Sequence, residues 1–275
     1  VKMNPVQNMT VFILDQVPRH EQMNVAKKIM DYKNIFAEQV GFIESSNLCN
    51  KLDNENIRLQ MMGGEFCGNA TRSLAALMVH NEYPNIEKLN DGHIVSLEVS
   101  GIDGVVKCQV RNSQSKNSYW SKIDMPLPVS IEEFNFNDNG DILETIKVDF
   151  PGITHFIIDD NKVKNRDKFY EIVKKEMDRT QYEAFGIMYY DYEKEFLVPL
   201  VHVKATNSLF WERSCASGTS ALGVALAHIE KSPIVKKVKQ PGGELEVSAI
   251  WENDKISNIS LNGLVEIVAE GIVYV

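Results

Sequence analysis

The sequence predicts an α/β (α+β) fold made of two pseudo-symmetric domains. Three observations carry this: a long-period internal repeat, the same order of strand-like and helix-like segments in each half, and an ordinary globular composition. Cys67 and Cys215 lie 148 positions apart. The same spacing separates Leu97-Glu98-Val99-Ser100 from Leu245-Glu246-Val247-Ser248, Thr71 from Thr219, and Leu74 from Leu222. Three further matches lie upstream at slightly shorter offsets. Lys27-Lys28-Ile29-Met30-Asp31 resembles Lys174-Lys175-Glu176-Met177-Asp178, and Glu38-Gln39-Val40-Gly41 resembles Glu183-Ala184-Phe185-Gly186. Thr10-Val11-Phe12-Ile13-Leu14-Asp15 resembles Thr154-His155-Phe156-Ile157-Ile158-Asp159. One short match is chance, whereas several in the same order point to a duplicated domain, since the period is far too long for a solenoid. The expected division is 1–122, completed by 262–275, and 123–261, with residues 8–122 overlaying 152–261.

Within each half the elements follow in parallel. Residues 11–14 and 156–158 are short apolar runs with strand character. Helix-like segments follow at 22–31 and 167–178, then strands at 40–44 and 186–190. Next comes a turn of small residues holding a cysteine, then an apolar, alanine-rich helix at 73–79 and 220–229. Leu74, Leu77 and Met78 mark the buried face of the first of these helices. Strands return at 95–99 and 245–247. Gln240-Pro241-Gly242-Gly243 reads as a turn into the last of them.

Composition narrows the function. The 275 residues carry a net charge of −9, with 44% apolar and 24% charged residues. An acidic chain without a Lys/Arg block offers no electrostatic footprint for nucleic acid or an anionic membrane. Residues 1–7 lack the basic–apolar–small order of a secretion signal, and the apolar run at 11–14 is too short to span a bilayer. A cytoplasmic protein with reduced thiols is therefore expected, and a homodimer is compatible with it. The six histidines are scattered without metal-ligand spacing, so no metal is expected. Gly63-Gly64 lacks the Gly-Lys-Ser/Thr ending of a phosphate loop.

Of the four cysteines, Cys49 and Cys108 read as small buried hydrophobes. Cys67 and Cys215 differ, because each stands just before a helix, among small or polar residues. First-turn N–H groups have no acceptor inside their helix, and the macrodipole adds positive charge there. A thiolate at such a place is stabilised, and its pKa is expected to fall. A carboxylate is favoured there too, the small residues Gly68, Ala216, Ser217 and Gly218 let a ligand approach the backbone, and Gly68, Asn69, Ala216 and Ser217 are the expected substrate contacts there. Two such starts facing one substrate could invert a stereocentre, one thiolate removing the α-proton and the opposite thiol delivering another. No cofactor is required. Glu212, close to Cys215, is expected to bind the substrate ammonium or to tune the thiol.

Phe66-Cys67-Gly68-Asn69-Ala70-Thr71-Arg72 resembles the first cysteine motif of diaminopimelate epimerases. Glu212-Arg213-Ser214-Cys215-Ala216-Ser217-Gly218-Thr219 is similar to the second, with the compact spacing of proline racemases. The resemblance runs from Asn8 to the C-terminus and implies two domains, each a mixed β-sheet wrapped around a central helix. Within that superfamily the chain looks most like the cofactor-independent histidine racemases of opine-metallophore pathways. The likeness rests on Asn4-Pro5-Val6-Gln7-Asn8-Met9-Thr10, Glu38-Gln39-Val40-Gly41-Phe42-Ile43-Glu44, Gly64 to Thr71, Trp211-Glu212 with Ser214-Cys215, and Gln240-Pro241-Gly242-Gly243. The resemblance implies substrate-positioning roles for Asn8 and Glu212 and a supporting one for His155. Glu38 and Arg213 are candidate contacts to the substrate side chain.

The diaminopimelate enzymes hold the distal end of their substrate with asparagines. Here Met61-Met62, Ile153 and Met188 stand in roughly those places, which favours a shorter substrate. Diaminopimelate epimerase is the alternative activity. A non-catalytic amino-acid-binding protein and a phenazine-type isomerase are the rival classes. Retention of both cysteines argues against the last two.

Overall fold

The computed structural model describes residues 1–45, 57–84 and 86–275, so Cys49 lies outside the described residues. The chain divides into two compact units, 1–124 with 262–275, and 125–261.

The first unit contains β1 (Lys2–Asn4), β2 (Thr10–Ile13), α1 (Arg19–Met30), β3 (Gln39–Ser45), β4 (Ile57–Met61), α2 (Gly68–His80), β5 (Glu87–Leu89), β6 (Gly92–Val99), β7 (Val105–Asn112) and β8 (Ser118–Asp124). α1 is amphipathic, burying Gln22, Ala26 and Ile29 at helical spacing. It joins β2 to β3, which pair in parallel with Thr10 opposite Gln39. β3 continues antiparallel into β4, and β4 runs parallel to β6. β6, β7 and β8 are antiparallel neighbours. α2 differs from α1 in that every residue from Gly68 to Met78 is buried. A helix buried all round is a central one, which explains why small residues (Ala70, Ala75, Ala76) alternate with Leu74, Leu77 and Met78.

The second unit contains β9 (Ser130–Asp138), β10 (Asp141–Phe150), β11 (Ile153–Asp159), α3 (Arg166–Met177), β12 (Ala184–Asp191), β13 (Phe196–Val203), β14 (Ser208–Trp211), α4 (Ala216–Glu230), β15 (Ile234–Gln240) and β16 (Gly243–Glu252). β17 (Lys255–Ala269) begins in this unit and ends in the first, where it pairs with β1. The local order repeats that of the first unit. α3 buries Phe169, Val173 and Met177 on one stripe and links the parallel pair β11–β12. α4 is again buried nearly all round, from Ala216 to Ala227 with only Ser217 partly open. An aromatic layer of Phe136, Phe156, Phe185 and Tyr189 packs with Phe169, Val173 and Met177 of α3. No helix among the described residues is long and apolar enough to cross a membrane.

The 11–14 strand ends at Ile13, leaving Leu14 half exposed. The helices expected at 73–79 and 220–229 begin earlier, at Gly68 and Ala216, directly after the cysteines. Gln240 does not belong to a turn but closes β15 as a buried residue.

Candidate active site

Cys67 is the N-cap of α2. Its backbone is extended (φ −128°, ψ 108°), and its sulfur accepts the Ala70 N–H at 3.4 Å. The sulfur thus fills the role a serine or aspartate oxygen plays at most helix starts. Thr71 locks the same turn, donating its hydroxyl to the Cys67 carbonyl at 2.8 Å. The first-turn N–H groups of Gly68 and Asn69 belong to the set that a helix leaves without internal acceptors.

The parallel pairing of β2 and β3 brings Asn8, Glu38 and Gln39 to this helix start. The Asn8 side chain donates to Glu38 Oε2 at 2.6 Å, and its Oδ1 accepts from Gln39 Nε2 at 2.7 Å and from Asn69 Nδ2 at 3.1 Å. Gln39 also donates to Thr10 Oγ1 at 2.8 Å. With its amide nitrogen committed to two acceptors, Gln39 turns its oxygen to Cys67, whose thiol donates to Oε1 at 3.0 Å. Among the named candidates, Asn8, Glu38, Cys67, Gly68 and Asn69 therefore form one cluster. Gln39 joins it without having been singled out, although its place in the repeated string Glu38-Gln39-Val40-Gly41 was the available signal.

Arg72 anchors this cluster from below. Its guanidinium is wholly buried and donates to Asn69 Oδ1 at 2.8 Å, to the Gly263 carbonyl at 2.9 Å and to the Ser121 carbonyl at 3.2 Å. Burial lowers its pKa to about 10, opposed by Cys108 and Cys67, so the group stays charged at neutral pH. Cys108 is inert by the same token, since burial pushes its thiol up to about 12. The approach to Cys67 depends on Gly101, in the left-handed region at φ +76°. A Cβ there would stand 2.3 Å from the Phe66 nitrogen and 2.8 Å from the Glu65 carbonyl carbon. We expect Gly101→Ala to cost roughly 2 kcal/mol or more and to lower turnover by displacing the segment that enters Cys67. Gly104→Ala is the control, for it shares a positive φ (+90°) but meets nothing within 4 Å. Equal urea midpoints for the two variants would contradict the steric account.

Cys215 repeats the arrangement at α4. It is extended (φ −124°, ψ 114°), its sulfur accepts the Gly218 N–H at 3.3 Å, and Thr219 donates its hydroxyl to the Cys215 carbonyl at 2.6 Å. The surroundings differ from those of Cys67. Ser217 Oγ stands 3.5 Å from the sulfur and 3.0 Å from His155 Nε2. Glu212 shares a hydrogen bond with the thiol. Glu212, Cys215, Ala216, Ser217 and His155 thus form a second cluster. Arg213 is exposed, with Nη2 donating to the Pro241 carbonyl at 3.0 Å. Met188 is fully buried under the first turn of α4, where a Cβ on Gly218 would meet its sulfur at 2.2 Å.

Gln240 is the residue the sequence concealed. Its Oε1 accepts the Cys215 N–H at 2.9 Å and its Nε2 donates to Thr219 Oγ1 at 2.9 Å. Together with the Thr219–Cys215 bond this closes a buried ring that fixes the peptide around the sulfur. The expectation that helix starts lower both thiol pKa values is corrected for Cys215. Burial raises it well above its ordinary value, the Glu212 carboxylate adds to the rise, and the Ser217 hydroxyl and Gly218 N–H oppose it. Desolvation of the charged form outweighs the helix end here. The resting group is a thiol.

Two helix-capping thiols, each in its own polar cluster, are groups that can give or take a proton beside a helix start that favours an anion. The fold agrees with that chemistry. The chain superposes on a hydroxyproline epimerase from Agrobacterium vitis with a TM-score of 0.63 at 10% identity, covering 98% of this chain and 90% of that one. It matches a methylitaconate-delta-isomerase with a TM-score of 0.59 at 11% identity, covering 98% and 93%. These likenesses establish the racemase and epimerase fold, which also carries isomerases that do not invert an amino acid. The sequence is more specific. Residues 1–274 match the family model described as the histidine racemase CntK N-terminal domain, and the chain belongs to that family. Its curated relatives include a histidine racemase of Fusobacterium nucleatum subsp. nucleatum, 39% identical over 100% of this chain and 96% of the relative. Another is a histidine racemase of Staphylococcus aureus, 28% identical over 100% and 96%. The protein is an isomerase of the racemase type.

Proposed function

We propose that this protein interconverts L- and D-histidine without a cofactor, using Cys67 and Cys215 as its acid–base pair. The observation that carries the reading is the paired N-cap thiol, sulfur accepting from the residue three positions on and each thiol donating to a side-chain acceptor. In each direction one cysteine, as thiolate, removes the α-proton, and the other, as thiol, protonates the opposite face of the carbanion. First-turn N–H groups of a helix hold a carboxylate and stabilise negative charge that develops on it, and Gly68 and Asn69 in one unit and Ala216 and Ser217 in the other supply such groups. Glu212 is placed to take the proton that Cys215 must shed before it can act as a base. Asn8 and Glu38 serve the substrate's polar groups from the Cys67 side. The same reading makes this a cytoplasmic enzyme with reduced thiols.

Histidine is favoured over diaminopimelate by what the distal groups would find. Met61 and Met188 are buried apolar side chains, and Arg213 donates to the Pro241 carbonyl. A distal ammonium and carboxylate placed against such groups would lose their hydration without gaining partners. Imidazole is mostly neutral at pH 7 and carries a smaller penalty. Turnover of L-histidine and of LL-diaminopimelate, compared at equal concentration by chiral chromatography, should favour histidine by about 100-fold or more. Faster turnover of diaminopimelate would overturn the assignment.

A further inference from the structure

His155 is fully buried, with Nε2 at 3.0 Å from Ser217 Oγ and Nδ1 without a partner. The strand register places Gly186 directly opposite His155, and a Cβ on Gly186 would lie 2.3 Å from Nδ1. Nδ1 thus faces backbone that offers it no acceptor. Burial holds the imidazole pKa down to about 3, so at neutral pH the ring carries one proton. On Nδ1 that proton would be an orphaned buried donor, which native proteins avoid more strictly than an idle acceptor. The proton therefore sits on Nε2 and is donated to Ser217 Oγ. Ser217 is left with its own hydroxyl hydrogen to give, and the Cys215 sulfur is 3.5 Å away.

We propose that Ser217 donates its hydroxyl hydrogen bond to the Cys215 thiolate, and that His155 is the positioning residue that fixes this direction. The proposal rests on the reading of Cys215 as an acid–base group. Cys215 then lies between two unlike partners. Glu212 accepts the S–H and takes its proton, while Ser217, with the Gly218 N–H, stabilises the anion left behind. Glu212 and His155 are the titratable groups that face this thiol and its hydroxyl partner. At Cys67 the thiol donates to the neutral Gln39 amide oxygen.

The test is the pH profile of iodoacetamide alkylation of the full-length protein, read for Cys215 and Cys67 separately by peptide mass spectrometry. Ser217→Ala should move the Cys215 profile up by about one pH unit and slow its alkylation near pH 8 by about ten-fold. The Cys67 profile should stay in place, and Ser217→Thr should restore the Cys215 profile. His155→Phe should shift Cys215 in the same direction with Ser217 still present. Should that variant not fold, His155→Gln, which retains an N–H donor, should give a smaller shift of the same sign. A Cys215 profile that stays put or moves down in Ser217→Ala would show that the hydroxyl points to His155 and would overturn the proposal. Racemisation by Cys215→Ala, measured alongside, separates the two failures. Wild-type activity there would remove the acid–base reading itself, whereas an inactive Cys215→Ala with an unmoved Ser217→Ala profile would remove only the role of Ser217 and His155.

Discussion

Replacing either Cys67 or Cys215 by alanine should lower histidine racemisation by about 1,000-fold or more, the scale expected when a positioned general acid or base is lost. The effect is large because the two thiols do not substitute for each other. Inversion needs a base on one face of Cα and an acid on the other, so the surviving cysteine can only return a proton to the face it came from. Each single variant should therefore still exchange the α-proton of one enantiomer with solvent, slowly and without inversion, and the two variants should serve opposite enantiomers. Cysteine-to-serine variants should be impaired almost as much, since a hydroxyl at the same N-cap keeps the helix start but is a far weaker acid. The check is chiral chromatography combined with α-proton NMR on each variant. Racemisation within ten-fold of wild type in either alanine variant would contradict the mechanism.

The second large effect is on stability, at Arg72. The guanidinium satisfies Asn69 Oδ1 and the carbonyls of Ser121 and Gly263 from a fully buried position. Arg72→Met would fill much of the volume and remove the cost of burying a charge, but it would strand these three acceptors, each worth roughly 1–3 kcal/mol when left unpaired. We expect a net loss of about 3 kcal/mol, within the range seen when one member of a buried ionic network is deleted. Arg72→Lys should fall between, because one ammonium cannot reproduce the planar fork. Loss of the Asn69 contact should also loosen Asn8 and, through it, Gln39 and Cys67, so turnover should drop at temperatures where the variant is fully folded. Urea unfolding of the three proteins decides the point, and a midpoint for Arg72→Met that corresponds to less than 1 kcal/mol would show that the network is dispensable.

What was legible in the sequence was local. The stripes Gln22/Ala26/Ile29 and Phe169/Val173/Met177 betray α1 and α3 by their 3.6-residue spacing. The small residues after Cys67 and Cys215 betray the two helix starts, because only tight backbone packing needs them. The mixed α/β class follows from such segments alternating with apolar strands. β9 and β10 were not expected at all, since Glu132, Glu133, Glu144 and Lys147 give them too little apolar contrast. The residues that tune the thiols were hidden for a different reason. Gln240 looks like the lead-in to a Pro-Gly-Gly turn and reaches Cys215 from 25 positions away. Arg72 sits in a helix interior where its buried partners, Ser121 and Gly263, are remote in sequence. The direction of the Cys215 shift depends on how completely the sulfur is desolvated and on which way Glu212 turns, and neither is written in residue order.

In the proposed mechanism two different thiols handle the two faces of one carbon. The most direct measurement is the isotopic content of both enantiomers early in the reaction of L-histidine in heavy water. Two bases predict that D-histidine acquires one solvent deuterium at Cα from the first turnovers, while recovered L-histidine keeps its protium. The mirror experiment from D-histidine should give the mirror result. D-histidine that forms with its original α-protium, or L-histidine that gains deuterium as fast as the product does, would mean a single base serving both faces, and would contradict the account.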